Sequence, residues 1–158
     1  MNEQLADRKA DAALNCWHFN ARASVAGATQ LISVPDMLKD LGVSRTPPLL
    51  GWVFSETFAA AKPDVIKTYL DASFATKRAL LTDDAIWDKI RPVMKADDDT
   101  LFIALRDAYR AGIVTSYTGA DIDAAKQTFA LLAKYGGADL TLGKPELADG
   151  TFWPGYRK

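Results

Sequence analysis

The periodicity of the apolar residues changes at Ser55, and this change constrains the fold more than any other feature of the chain. Before Ser55, three short apolar runs have the length of buried strands: Ala10 to Cys16, Gln30 to Val34 and Leu49 to Phe54. After Ser55, apolar residues recur at the spacing of amphipathic helices. The pattern predicts an α/β fold that is helix-rich and has a small sheet of about three strands.

Start and stop signals give the predicted helices their limits. Ser55 is a suitable N-cap, Pro63 suits a first helical turn, and the T-G-A-D stretch from Thr118 to Asp121 fits a capping box. Pro92 is expected to kink or break the helix that contains it. The predicted helices cover about 2–9, 17–27, 35–41, a short stretch after Ser55, 63–81, a stretch from Thr82, 101–112 and 118–137.

Three strands make a thin sheet for so many helices, because α/β layers normally cover a wider sheet. Either the fold is α-rich, or part of the sheet is absent from this chain. The chain has 158 residues, of which 49% are hydrophobic, so it can bury one core and a single compact unit is possible.

Charge and motifs exclude several classes of function. The 19 basic and 20 acidic residues leave a net charge of -1, and no basic block could follow a phosphate backbone, so nucleic acid is not an expected partner. No run reaches the ~18 apolar residues of a membrane helix, and the first residues do not resemble a signal peptide. Neither G-x-G-x-x-G nor G-x-x-x-x-G-K-[ST] occurs, and no cofactor is predicted.

The only cysteine and the only histidine, Cys16 and His18, lie close together in A-L-N-C-W-H-F-N-A-R. On one strand their side chains would point the same way about 7 Å apart, too far for proton transfer. We therefore predict no catalytic pair and interpret Cys16 as a packing residue. One cysteine and one histidine do not make a zinc site, and Asp97 to Asp99 are interpreted as a solvated helix start, so no metal site is predicted.

Recognition chemistry fits the same stretch better than catalysis. Trp17, His18 and Asn20 lie where a predicted strand gives way to a helix, which is where ligands collect in open α/β sheets. Trp17 and Trp52 would offer flat apolar walls, and His18, Asn20 and Arg22 suit a sulfonate, carboxylate or nitrate-like group. The predicted ligand-binding residues are therefore Trp17, His18, Asn20 and Trp52. The alternative is that both tryptophans belong to the core.

The C-terminal stretch G-T-F-W-P-G-Y-R-K is aromatic and has no periodicity. We interpret Phe152, Trp153 and Tyr156 as a tail held on the protein's own surface. An anchor for a partner protein is the alternative.

Two longer stretches carry a resemblance to a known family. They are A-D-A-A-L-N-C-W-H-F-N-A-R, and P-L-L-G-W-V-F-S-E-T-F-A-A-A-K-P-D-V-I-K-T-Y-L. The first is similar to a strand and crossover segment, and the second resembles the strand and helix after the return crossover. Together they resemble the C-terminal part of the type 2 periplasmic solute-binding proteins of ABC transporters, in the nitrate, sulfonate and taurine branch.

This resemblance implies a partial type 2 periplasmic-binding-protein fold with two parts. Residues 1–48 would be the end of the second lobe and the crossover segment. Residues 49–158 would be the returning strand and the C-terminal helical part of the first lobe. Trp17 to Asn20 would lie near the cleft between the lobes, and Trp52 near the returning crossover.

The implied function is capture of a small solute for import, by a periplasmic protein that is not an enzyme. The implied partners are the solute, a membrane permease reached through the complete protein, and a missing N-terminal lobe or a second copy of the chain. Two alternatives remain open. One is an enzyme that resembles the pyrimidine-precursor synthases of thiamine biosynthesis, and the other is a ligand-sensing or protein-interaction module.

Overall fold

The computed structural model describes residues 2–158, and over this range the chain forms eight helices and no strand. The predicted α/β class, with its partial type 2 periplasmic-binding-protein fold and three-stranded sheet, is therefore wrong: the structure is all-α. The helices are α1 (Asn2–Ala6), α2 (Trp17–Val25), α3 (Val34–Asp40), α4 (Glu56–Ala61), α5 (Pro63–Thr82), α6 (Asp84–Met94), α7 (Asp99–Ala111) and α8 (Gly119–Thr141).

The three runs predicted as strands fail for one shared reason. Residues 11–15, 29–32 and 44–54 form no backbone hydrogen bond with any other described residue. A strand needs an adjacent strand whose N–H and C=O groups pair with its own, so an isolated apolar run stays irregular whatever its composition. Several apolar side chains of these runs are correspondingly exposed, among them Leu14, Leu31 and Leu50.

The predicted helix ends are confirmed where a local side chain determines them. Ser55 Oγ accepts the N–H of Phe58 at 3.1 Å, and Asp98 Oδ1 accepts the N–H of Leu101 at 2.8 Å. At the start of α8 the N–H of Thr118 donates to Asp121 Oδ2 at 2.7 Å, as the capping-box motif predicts. The regular path of α8 breaks at Gly137, whose φ of 72° suits a residue without Cβ.

The described residues pack into two units. Unit 1 contains the residues up to Leu31 together with Ala75–Ile113, and unit 2 contains Ile32–Phe74 and Val114–Lys158. Helix α5 contributes its first part to unit 2 and its last part to unit 1. The division at residue 48, which the resemblance implied, stays a prediction.

Unit 1 is built around Trp87, which is 3% exposed. The buried side chains around it are Ala21, Ala96, Phe102 and Leu105, which brings α2 and α6 together with α7. Trp87 Nε1 donates to the carbonyl oxygen of Leu80 at 2.7 Å, so its one polar atom is satisfied. Arg110 Nε donates to the same oxygen at 3.0 Å, and the last turn of α5 is thereby fixed to the core.

Unit 2 has a core of smaller side chains, in which Leu38, Val43 and Ala124 are buried together. Beside it lies the nearly buried carboxylate of Asp121, whose Oδ1 is 2.7 Å from Arg45 Nε. An ionised group is costly to bury unless it is paired and hydrogen-bonded. The Arg45 contact and the two donors of Thr118 meet that requirement.

The C-terminal tail is held on unit 2, as the sequence predicted. The ring of Trp153 meets Phe54 edge-on at 5.4 Å, and Tyr156 Oη donates to Asp71 Oδ1 at 2.9 Å. The backbones of Tyr117 and Lys158 also bond to each other in both directions. These contacts give the tail a structural role within the chain.

Candidate functional site

The stretch with the strongest recognition chemistry lies at the start of α2, in unit 1. Cys16 is the N-cap of α2, with φ of -72° and ψ of 158°, and its side chain makes no capping hydrogen bond. The first N–H groups of a helix have no intrahelical acceptor and carry the positive end of the helix dipole. This end of α2 therefore presents donors that its N-cap side chain does not satisfy.

Trp17 is the first residue of α2 and is 46% exposed. Its ring meets the ring of His18 edge-on, with centroids 5.2 Å apart. On its other side it meets Tyr109 of α7 edge-on at 5.5 Å, and Tyr109 in turn meets the buried Trp87 at 5.5 Å. The exposed indole is therefore oriented by a chain of ring contacts that ends in the core.

His18 and Asn20 complete the polar part of this surface, and both are half-buried. His18 also contacts Phe19, with ring centroids 4.3 Å apart. Asn20 lies three residues after Trp17, so the two side chains share one face of the helix. Trp17, His18 and Asn20 together, at the first turn of α2, are called the α2 surface below.

The segment before the α2 surface is tied to it by two asparagines. Asn15 Nδ2 donates to Asn2 Oδ1 at 2.9 Å, and Asn2 Nδ2 donates to the carbonyl oxygen of Phe19 at 2.9 Å. This relay connects α1, the segment 11–15 and α2. These hydrogen bonds fix the course of the chain that leads to Cys16 and Trp17.

Two sequence interpretations need correction here. Cys16 is an exposed free thiol at a helix N-cap, so its predicted packing role is wrong. Arg22, expected to suit an anionic ligand, instead points its Nη2 at the carbonyl oxygen of Met94, 2.8 Å away. A cation at the C-terminal end of α6 complements that helix dipole, which explains why Arg22 is drawn there.

The fourth predicted ligand residue, Trp52, belongs to unit 2. It is 57% exposed, its Nε1 donates to Ser73 Oγ at 3.2 Å, and its ring meets Tyr69 edge-on at 5.1 Å. The alternative that both tryptophans are core residues does not hold, since each has about half of its side chain exposed. The binding roles of Trp17, His18, Asn20 and Trp52 stay predictions.

Several charged side chains elsewhere in unit 1 are paired with one another. Arg110 Nη2 lies 2.6 Å from Asp84 Oδ1, and Arg106 Nε lies 2.8 Å from Asp107 Oδ1. The hydrogen bond to Asp107 raises the pKa of the Arg106 guanidinium, which stays cationic. Across residues 2–158, no three His, Cys, Asp or Glu side chains are grouped so that they could hold a metal ion.

Unit 2 has an open depression of about 410 Å³ beside the break in α8. It is lined by small residues together with Lys134 and Lys144, and none of the four predicted ligand residues takes part in it. Its apolar walls carry few groups that could orient a solute. None of the described helices is both long and apolar enough to cross a membrane.

Sequence reasoning missed one residue that supports the α2 surface and one that stabilises unit 2. Tyr109, which orients Trp17, was recognisable only as one apolar position of a helical stripe. Arg45, which pairs with Asp121, lies in a stretch without periodicity and gave no signal. No known protein-family model matches the amino-acid sequence, and no curated protein does either.

Proposed function

We propose that the chain is a solute-binding component of an ABC import system, or a C-terminal part of one, that captures a small anion of the nitrate, sulfonate or taurine type. The observation that carries this proposal is the half-exposed Trp17 beside His18 at the first turn of α2. Further support comes from the two sequence stretches that resemble that class of protein.

The α2 surface offers the three elements that a small organic anion requires. The indole face of Trp17 suits an apolar carbon chain, and the His18 ring and the Asn20 amide supply hydrogen bonds. The N–H groups of the first turn attract a negative group, because they combine unsatisfied donors with the positive end of the dipole. Sulfonate, nitrate and carboxylate groups share this chemistry.

Capture in this proposal involves no bond-breaking step, and the solute leaves unchanged. The α2 surface is exposed to solvent, so it can bind a solute by itself, and a second protein surface would enclose the bound solute further. That surface would come from a further lobe or from a second copy of the chain. The solute would then pass to a membrane permease, and the working compartment would be the periplasm.

Isothermal titration of the purified chain with taurine, ethanesulfonate and nitrate tests the proposal. We expect at least one of these anions to bind, and His18→Ala to weaken that binding by about 1–3 kcal/mol because one or two hydrogen bonds are lost. His18→Gln, which keeps a hydrogen-bonding group, should recover part of the loss. Tyr135→Ala removes an exposed aromatic residue of α8 and is the matched control.

Absence of binding by all three anions would contradict the proposed solute class. Equal weakening by Tyr135→Ala and His18→Ala would contradict the location of the site. Mass spectrometry of the probe after incubation separates capture from turnover, because a binding protein returns the probe with its mass unchanged.

A further inference from the structure

We propose that the C-terminal tail, residues 151–158, is the resident ligand of a peptide-binding surface on unit 2, and that this surface also accepts an extended segment of the same chemistry from a partner protein. The surface consists of Phe54, Asp71, Phe74 and Tyr117, which are called the tail-docking surface below. Binding there does not depend on the α2 surface, which belongs to unit 1.

Two aromatic side chains of the tail, three positions apart, contact the tail-docking surface. The ring of Trp153 meets Phe54 edge-on at 5.4 Å, and the ring of Tyr156 lies 6.0 Å from that of Phe74, which is buried. Aromatic pairs contribute beyond the area that they bury. A segment that replaces the tail therefore needs two aromatic residues at this spacing.

The polar contacts add a requirement for positive charge. Asp71 Oδ1 accepts a hydrogen bond from Tyr156 Oη at 2.9 Å and another from Lys158 Nζ at 2.9 Å. The guanidinium of Arg157 lies over the ring of Tyr117, 5.4 Å from its centroid. A carboxylate and an aromatic face thus receive the basic end of the tail, and an acidic segment would be rejected.

The backbone shows the mode of docking. The N–H of Tyr117 donates to the carbonyl oxygen of Lys158 at 2.5 Å, and the N–H of Lys158 donates to the carbonyl oxygen of Tyr117 at 2.8 Å. Two residues that exchange both bonds are paired as in an antiparallel ladder. Extended peptides dock in this way on many proteins, with main-chain bonds for affinity and side chains for specificity.

The tail also holds its own shape. Arg157 Nη1 donates to the carbonyl oxygens of Trp153 at 3.2 Å and of Tyr156 at 2.6 Å. A Cβ on Gly155 would lie 2.3 Å from Cζ2 of Trp153, so the indole can fold over this turn because residue 155 is glycine. A peptide that is shaped before it docks loses less conformational entropy on binding.

The connection between α8 and the tail makes the tail separable from its surface. Residues 142–150 are non-helical and, apart from Leu147, exposed. The tail-docking surface comes from α5 and from the segments before α4 and α8, so its residues are far from the tail in the sequence. A short linker keeps the tail at an effective concentration on the order of mM. The tail therefore excludes a partner until it is weakened or displaced.

Fluorescence anisotropy tests this competition, with the labelled peptide G-T-F-W-P-G-Y-R-K, residues 150–158, as probe and the complete chain as receptor. Trp153→Ala in the chain loosens the resident tail and leaves the tail-docking surface unchanged, so the probe should bind about tenfold more tightly than to the parent chain. Tyr156→Phe removes only a hydroxyl and should tighten probe binding about fivefold. Circular dichroism checks that both variants fold.

A tail with a purely structural role would not compete with the probe. Absence of probe binding to both variants would overturn the proposal. Equal binding to the parent chain and to the two variants would also overturn it, because the resident tail would then not occupy the site of the probe.

A matched pair of aspartate substitutions locates the probe. Asp71→Ala, added to Trp153→Ala, should weaken probe binding at least about tenfold, because a hydroxyl and an ammonium group lose their shared acceptor. Asp64→Ala, at an exposed aspartate of the same helix, should leave probe binding unchanged. Equal binding after the two substitutions would overturn the location.

Variants of the probe test the shape and charge of the ligand, with the Trp153→Ala chain as receptor. A probe that carries Gly155→Ala should bind more weakly, because the added Cβ displaces the indole ring. A probe in which Arg157 and Lys158 are both replaced by glutamate should not bind, because like charges then meet at Asp71. Binding of either variant as tight as that of the original probe would overturn the proposed recognition.

Discussion

Unit 1 is organised around the buried ring of Trp87, whereas unit 2 combines an apolar core with a nearly buried carboxylate and its own C-terminal tail. In unit 1 Trp87 belongs to a buried cluster with residues of α2 and α7, and its Nε1 donates to the carbonyl oxygen of Leu80. In unit 2 the carboxylate of Asp121 is held by Arg45 and Thr118. The same chain thus has an aromatic ring at the centre of one unit and a paired, nearly buried carboxylate beside the apolar core of the other.

This difference predicts how each unit responds to substitution. Apolar burial contributes several kcal/mol per large side chain, whereas a hydrogen bond contributes about 1 kcal/mol net. Single truncations should therefore be more damaging in the core of unit 1 than at the polar contacts of unit 2. The first three predictions below test that order.

Trp87→Ala should have the largest effect, because it empties the centre of unit 1. Truncation of a buried tryptophan typically lowers the free energy of unfolding by about 3–5 kcal/mol. It also leaves the carbonyl of Leu80 with one donor fewer. Urea denaturation followed by circular dichroism measures the change. Trp52→Ala, at the half-exposed tryptophan of unit 2, is the control and should cost about 1 kcal/mol. If Trp87→Ala and Trp52→Ala lowered the free energy of unfolding equally, Trp87 would not be the centre of unit 1 in energetic terms.

Asp121→Ala should lower the free energy of unfolding by about 2 kcal/mol, because it removes the acceptor of the capping box of α8 and leaves Arg45 without its carboxylate. The loss stays below that of a fully buried ion pair, since 44% of the Arg45 side chain is exposed. Asp123→Ala, at an exposed neighbour on the same helix, is the control. A loss from Asp121→Ala as large as that from Trp87→Ala would show that polar contacts dominate unit 2.

Tyr156→Phe should lower the free energy of unfolding by about 1 kcal/mol, because the tail loses its hydroxyl bond to Asp71. The ring contact with Phe74, whose centroid is 6.0 Å away, is retained. Limited proteolysis of the C-terminus measures the local effect, and faster cleavage is expected. Tyr135→Phe, at an exposed tyrosine of α8, should change neither value. An unchanged cleavage rate in Tyr156→Phe would mean that this bond does not hold the tail.

Local chemistry explains which parts of the fold could be predicted. Ser55, Asp98 and Thr118 cap their helices through atoms at most three residues away, so a short window of sequence contains both partners. Leu49 to Phe54 has the composition of a strand, but a strand depends on a partner that no short window contains. The helices were therefore predictable, whereas the lack of a sheet among the described residues was not.

The candidate site was likewise predictable only where its residues are close in the sequence. The grouping of Trp17, His18 and Asn20 was predictable because the three residues are neighbours in the chain. The contact of Trp17 with Tyr109 was not, since it joins distant parts of the sequence through the packing of α2 on α7. The hydrogen bond from Arg22 to the carbonyl oxygen of Met94, at the end of α6, was not predictable for the same reason.

The smallest expected effect is a dependence of stability on alkaline pH through Tyr117 of unit 2. Burial raises the pKa of its phenol, an effect that Arg157 opposes and Asp121 reinforces. A pKa raised by folding gives a stabilisation that is complete below the unfolded value of about 10 and is lost as pH rises through the folded value. Urea denaturation from about pH 9 to pH 11 should therefore show a decline in the free energy of unfolding.

Tyr117→Phe should make that decline shallower, because the group that titrates differently in the two states is gone. Tyr135→Phe removes an exposed tyrosine and is the control. The free energy of unfolding of this variant should decline with pH as it does in the parent chain. The phenolate absorbance of the folded protein gives an independent measure, since the pKa of Tyr117 is raised above the ordinary tyrosine value and Tyr117→Phe should remove the late part of the absorbance rise. If the free energy of unfolding declined equally with pH in Tyr117→Phe and in the parent chain, the decline would come from groups other than Tyr117.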